Sequence, residues 1–191
     1  YKNKRLQMAF RTKDRFLIID RNGKIVKPFN IKLNNSDLEI PLSVFDYDSN
    51  RNYRFLIVNN TSVLMLDSKG KKVSGFNPKL IKERITRAPK HIRISGKDYL
   101  IFKQKNKLRI LNRKGQDRIK LSDDIDFSNN AIFSYLNTFT TTDKEGNLIQ
   151  IDTKGNLFRT KLDLGKNHYI ESTTKSLVTF SENILTIKGM P

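Results

Sequence analysis

Leu17-Ile18-Ile19-Asp20-Arg21-Asn22-Gly23, Leu64-Met65-Leu66-Asp67-Ser68-Lys69-Gly70, Arg109-Ile110-Leu111-Asn112-Arg113-Lys114-Gly115 and Ile149-Gln150-Ile151-Asp152-Thr153-Lys154-Gly155 repeat one phrase. Its pattern is apolar-x-apolar, with Arg109 in the first place of the third copy, then Asp or Asn, then two residues and Gly. An Asp or Asn side chain bonds the backbone two residues on, and Gly supplies the positive φ that closes a tight hairpin. Each phrase therefore marks a hairpin between the two outer strands of a small sheet. The four glycines lie 47, 45 and 40 residues apart. A strand-built repeat of about 40–50 residues is the period of a β-propeller blade.

Working outward from the turns recovers the remaining strands. The second unit offers 42–48, 53–58, 62–66 and 72–76, and the third offers 91–94, 99–102, 107–111 and 117–121. All are short β-branched and aromatic runs bounded by Asn, Asp, Gly and Ser. The fold class expected is all-β: a β-propeller of four-stranded antiparallel blades, three complete and two partial. The divisions fall at 1–38 (partial blade), 39–88, 89–126 and 127–166 (blades) and 167–191 (partial blade). Tyr1 at one end and Met190-Pro191 at the other interrupt the pattern, which reads as a fragment of a longer polypeptide; a self-closing five-bladed ring is the alternative. The blade faces are expected to bury Leu17, Ile19, Phe55, Ile57, Leu64 and Leu66 in the first half. In the second half they bury Ile94, Ile101, Leu108, Ile110, Ile149, Ile151, Val178 and Leu185.

The 191 residues include no cysteine, so disulfides, thiolate metal sites and thiol catalysis are excluded within them. They include no tryptophan, so the Trp-Asp pair of the WD40 signature is missing and tryptophan-anchored quinoprotein blades cannot be built. No apolar run approaches the roughly 18 residues of a membrane helix. The net charge is +18, and it is concentrated. Lys69 to Lys120 holds 18 basic side chains against three acidic ones, Glu83, Asp98 and Asp117. The remaining residues are close to balanced. A clustered basic field attracts acidic glycans, anionic headgroups, nucleic acid or an acidic protein face. The residues expected to meet such a partner are Lys82, Arg84, Arg87, Lys90, Lys103, Lys105 and Lys107. No recognised nucleic-acid-binding motif accompanies them.

Candidate chemistry is thin. Asp46-Tyr47-Asp48-Ser49-Asn50 resembles a calcium loop at its first, third and fifth positions. Arg51 stands where the sharp turn needs Gly, and Ile57 where an EF-hand needs Glu. An Asx-rich hairpin accounts for the same residues. His91 and His168 both stand where the first strand of a blade begins, which favours a role in the scaffold over a catalytic one. Asp123, Asp124 and Asp126 form a solvated turn in a polar connection. No Gly-x-Ser-x-Gly elbow, Walker loop or His-Glu-x-x-His helix occurs. No catalytic residue, cofactor or metal is expected.

Phe45-Asp46-Tyr47-Asp48 with Tyr53-Arg54, and Met65 through Val73 with Gly75-Phe76, carry a family likeness. So do Pro89 through Ile94 with Lys97-Asp98-Tyr99, and Asn147 through Gly155. This pattern resembles the propeller repeat region of large exported envelope proteins of Bacteroidota, within the WD40- and quinoprotein-like propeller superfamily. The likeness spans roughly residues 40–190. It implies a repeat module in the bacterial cell envelope, periplasmic or anchored to the outer membrane, and brings no catalytic residues. Taken together, the residues and the resemblance point to a non-enzymatic scaffold that binds a protein partner. Binding of an anionic polymer or headgroup through 69–120 is the alternative.

Overall fold

The computed structural model describes residues 6–33, 40–59, 61–79, 82–173 and 176–189. Among them the chain forms strands and no helix, and every strand pairing is antiparallel. The strands build five sheets. The first holds β1 (Gln7–Arg11), β2 (Arg15–Asp20) and β3 (Ile25–Lys32). The second holds β4 (Ser43–Phe45), β5 (Arg54–Asn59) and β6 (Ser62–Leu66). The third holds β7 (Lys90–Ile94), β8 (Lys97–Gln104), β9 (Lys107–Leu111) and β10 (Asp117–Ile119). The fourth holds β11 (Phe133–Tyr135), β12 (Thr138–Thr142), β13 (Leu148–Ile151) and β14 (Leu157–Thr160). The fifth holds β15 (His168–Ser172), β16 (Ser176–Ser181) and β17 (Ile184–Gly189). Strands lie side by side in chain order, so each sheet is a simple meander, the plan of a propeller blade.

The turns close as the repeat phrase dictates. Asp20 Oδ1 accepts the backbone N–H groups of Asn22 and Lys24, both at 2.9 Å. Asp67 receives Lys69 and Lys71 at 2.8 and 2.9 Å, and Asp152 receives Lys154 and Asn156 at the same two distances. In each case the Gly N–H donates to the Asp carbonyl, at 3.0, 3.0 and 3.2 Å. Burial works against the charge of Asp152. The bonds from the Asn156 side chain and from the backbone of Asn156, Lys154 and Gly155 outweigh it and hold the carboxyl below its ordinary value. A further turn of the same kind joins β12 to β13. There Asp143 Oδ1 accepts from Glu145 and Asn147 at 3.1 and 2.9 Å. The second sheet falls short of the four strands expected. After its turn a single bridge, Leu66 to Lys72, begins a fourth strand. Gly75, at φ +76°, then takes the chain out of the ladder.

The chain divides into two compact units. One comprises Tyr1–Pro89, Phe102–Gln104 and Arg113–Gln116; the other comprises Lys90–Ile101, Lys105–Asn112 and Asp117–Pro191. In the first unit Phe16, Phe29 and Phe55 pack ring against ring, with centroids 5.1–6.0 Å apart, among Ile18, Ile57 and Leu66. Arg11 links two sheets by donating to the carbonyls of Val58 (2.8 Å) and Ile40 (2.6 Å). In the second unit Tyr99 meets Phe139 edge-on at 4.9 Å, within a cluster that includes Ile101, Leu108, Ile110, Ile149 and Ile151.

Burial follows the expected positions in the middle of the chain and departs from them at its ends. Phe55, Ile57, Leu66, Ile94, Ile101, Leu108, Ile110, Ile149 and Ile151 are buried, and Leu64 is half-buried. In β2, however, Phe16 and Ile18 fill the core while Leu17 and Ile19 stay half-exposed. In the fifth sheet Leu177 is buried, Val178 is half-exposed and Leu185 is exposed. Alternate strand residues point to opposite faces, and these strands have a covered face and an open one.

Two glycines separate conformational strain from steric contact. A Cβ on Gly23 (φ +76°) meets nothing within 4 Å, so Gly23→Ala should lose only the left-handed penalty of about 1–2 kcal/mol. At Gly146 (φ +83°) a Cβ would press on the Leu164 backbone, with its carbonyl carbon at 3.0 Å. Gly146→Ala should therefore lose at least about 1 kcal/mol more, the usual cost of overpacking. Urea unfolding of the two variants reads the difference; equal losses would remove the Leu164 contact from the account.

Candidate functional site

The seven basic residues singled out by sequence are distributed over both units. Lys82, Arg84 and Arg87 lie in the first unit, on the connection between β6 and β7, and all three are exposed. Lys90 and Lys105, also exposed, and the half-buried Lys107 belong to the second unit. Lys107 is engaged: its ammonium pairs with the Asp124 carboxylate and donates to the Ser122 carbonyl at 3.3 Å.

Lys103 differs from the other six. It is only 6 % exposed, so it is not a surface cation. It sits at the end of β8, where the connection doubles back onto the strand. Thr86 N–H donates to the Lys103 carbonyl at 3.0 Å, and Gln104 Nε2 donates to the Glu83 carbonyl at 2.7 Å. Strand alternation turns one side of β8 toward this connection, and a stretch rich in lysine gives no local sign of which lysine that is. Burial first, and repulsion from Arg87 second, lower the Lys103 pKa from 10.5 to about 8. The folded chain then binds fewer protons than the unfolded chain between about pH 8 and 10.5, and stability rises with pH across that window. Lys103→Met removes the titrating group. The variant's stability advantage over the natural chain should shrink as pH climbs from 8 to 10.5, read by urea unfolding at a series of pH values; a constant difference would contradict it.

The carboxylates considered as cation ligands serve the fold. Asp46 accepts the backbone N–H groups of Arg51 and of Asp48, the latter at 3.3 Å. Asp48 binds Arg113 through both oxygens, at 2.6 and 3.3 Å, while that guanidinium lies over the Tyr47 ring at 4.5 Å. The Asp46 bonds are those of an Asx-rich hairpin, and the Asp48–Arg113 pair ties that hairpin to a segment 65 residues away. Asp124 holds Lys107 and Asn106, and Asp126 holds Lys144 at 2.6 Å.

The histidines occupy matching chain positions and do different work. His91 Nε2 lies 2.8 Å from Oδ1 of the buried Asp98 on the neighbouring strand; Arg93 donates to the same oxygen at 3.4 Å. His168 is at the centre of a buried network joining the fourth and fifth sheets. Its Nδ1 stands 2.7 Å from the Gly165 carbonyl, which can only accept, so Nδ1 carries the proton. In the neutral ring Nε2 therefore accepts from the Thr142 hydroxyl, also at 2.7 Å. Thr142 Oγ1 in turn accepts from Asn130 Nδ2 (2.9 Å) and from Ser128 Oγ (2.8 Å). Asn130 also donates to the His168 carbonyl (3.2 Å) and accepts from Ile170 N–H (3.3 Å). Sequence reading missed Ser128, Asn130 and Thr142, because the polar run that holds them looks like an ordinary loop and strand end.

Beside this network a cleft of about 770 Å³ opens, with Lys144, Glu145, Lys166 and Tyr169 on its walls. Removing Asn130 would leave buried partners unsatisfied. Asn130→Ala should cost about 1–3 kcal/mol, measured by thermal or urea unfolding, with no loss of strand content in circular dichroism. An unchanged midpoint would show that water replaces the amide.

No protein-family model matches the sequence, and no curated protein matches it. Solved structures do match in fold. The chain is similar to the computationally designed Ika4 protein, at 11 % identity, 83 % coverage of this chain, 94 % of that one and a TM-score of 0.59. It is similar to the designed Ika8 protein at 11 % identity, with 96 % and 58 % coverage and a TM-score of 0.55. BamB from Moraxella catarrhalis aligns at 12 % identity, with 95 % and 68 % coverage and a TM-score of 0.45. The designed proteins are β-propeller-like, and the antiparallel sheets of three or four strands place this chain in the same all-β, propeller-like class.

Proposed function

We propose that this chain is a non-enzymatic β-propeller scaffold, a protein-interaction module of a larger bacterial envelope protein. One observation carries the reading. The acid and histidine side chains singled out in the sequence hold the backbone and the sheets. Asp46 caps a loop, His91 holds Asp98, and His168 is wired between Gly165 and Thr142. The envelope location rests on the sequence resemblance. No helix among the described residues is long and apolar enough to cross a membrane.

A second reading, capture of an anionic polymer or headgroup, is favoured by the exposure of Lys82, Arg84 and Arg87 on one connection. Contacts of that kind weaken steeply with salt, since the Debye length is about 8 Å at 0.15 M. The two readings separate on a heparin column and on anionic vesicles. The triple variant Lys82→Glu, Arg84→Glu, Arg87→Glu and the double variant Lys105→Glu, Lys107→Glu are compared with the natural chain. Earlier elution of the triple variant, with strand content intact, would establish the anionic reading on that connection. Undiminished retention of both variants would leave the scaffold reading. That reading in turn requires a stoichiometric protein complex from the envelope fraction that survives high salt; recovery of the chain alone would overturn it.

A further inference from the structure

The third and fourth sheets each carry a last strand beside the repeat phrase, and the second sheet does not among the described residues. After Gly70 the chain starts on that course. It makes the Leu66–Lys72 bridge, and Val73 N–H donates to the Met65 carbonyl at 2.9 Å. A turn at Gly75 then takes it away, with Phe76 N–H on the Val73 carbonyl at 3.4 Å. Beyond the turn Asn77 N–H donates to the Lys114 carbonyl at 3.2 Å, and Pro78 lies against Gly115. The outer side of β6 from Ser62 to Leu64 is therefore left without a neighbouring strand among the described residues.

Strand register shows which backbone groups are left over. Residues of an antiparallel strand alternate, pointing both backbone groups at one neighbour and then both at the other. The β5–β6 ladder runs without a bulge from Asn59–Ser62 to Phe55–Leu66. Met65 turns its carbonyl outward to Val73, so Val63, two residues earlier, also turns its N–H and C=O outward. Neither Val63 group meets a backbone partner among the described residues. The side chains there are short of cover as well. Leu64 is half-buried, whereas Ile149, at the same place of the phrase with β14 running alongside, is fully buried. At the end of the slot Lys69, Lys71 and Lys72 are exposed.

We infer that the second sheet takes an extended acidic segment of a partner protein as its missing strand, antiparallel to β6 beside Ser62–Leu64. The unpaired Val63 groups call for a backbone in strand conformation, which forms main-chain bonds to an open sheet edge. Three or four residues suffice, the lengths of β10 and β14. The residue opposite Leu64 shares its face and lies beside a half-buried leucine, so it is apolar. The next residues, opposite Val63 and Met65, point to the other face. They are acidic, because the antiparallel segment begins beside the three lysines and the whole chain carries +18. This inference rests on the scaffold reading and gives it a partner chemistry and a mode of contact. The cationic connection at Lys82, Arg84 and Arg87 takes no part in it.

The test is fluorescence anisotropy with a labelled peptide that alternates valine and glutamate, in three forms. One is unmodified, one is N-methylated at its glutamates, and one is N-methylated at its valines. With valine opposite Leu64, the glutamate amides face β6 and the valine amides face away. The unmodified and valine-methylated peptides should bind alike, and glutamate methylation should weaken binding by about tenfold or more. Val63→Pro removes the outward N–H at an edge position that tolerates proline, and should weaken the unmodified peptide to a similar extent. Circular dichroism checks that this variant keeps its strands; if it does not, the two methylated peptides decide. Lys69→Glu with Lys71→Glu should weaken binding, and the triple variant at Lys82, Arg84 and Arg87 should leave it unchanged. Hydrogen exchange at the Val63 amide should slow when the unmodified peptide is bound. No binding, indifference to glutamate methylation, or unaltered exchange at Val63 would overturn the proposal. The scaffold reading would survive that result, since the complex from the envelope fraction decides it separately.

Discussion

A sheet with two apolar faces must be covered on both, and most of this molecule follows from that requirement. The central strands make it explicit. Phe55 through Val58 of β5 are all buried, as is β8 from Asp98 to Gln104. Strands buried on both sides lose the alternation of a half-exposed sheet and demand a neighbour above and below. Within each unit the sheets supply one another's cover, through the Phe16–Phe29–Phe55 cluster in the first and the Tyr99–Phe139 cluster in the second. The requirement does not vanish at the first and last sheets. There the same apolar periodicity continues, with Met8, Leu185 and Ile187 exposed.

Apolar contact is not directional, so it fixes that sheets meet but not in what register. Polar bonds supply the register. Asn130, Thr142, Ser128 and His168 form a closed set of donors and acceptors between the fourth and fifth sheets, and Arg11 reaches two carbonyls in the first unit. Buried polar groups are costly unless satisfied, and satisfied ones admit few alternative arrangements.

The turns were legible because they are local. Asp, two residues and Gly specify a hairpin through bonds within five residues, whatever surrounds them. The turn at Asp143 is less legible because Thr140 and Thr142 stand where the phrase calls for apolar residues. Those threonines are buried all the same, and Thr142 is bonded to His168 and Asn130, which lie far from it in sequence. Lys103 was misjudged for a related reason. A lysine among lysines reads as surface, and only the return of the connection at Thr86 onto the end of β8 buries it.

By itself the sequence determined the strand class, the hairpins and the roughly even spacing of the sheets, since these depend on φ preferences, side-chain-to-backbone bonds and two-residue alternation. Only the tertiary structure decided which face of β2 and β16 is covered, which of the cations is buried, and which polar side chains meet across sheets. Alternation identifies two faces but not the one that finds a neighbour. That choice is made by the sheet packed against it, and its residues lie tens of positions away along the chain.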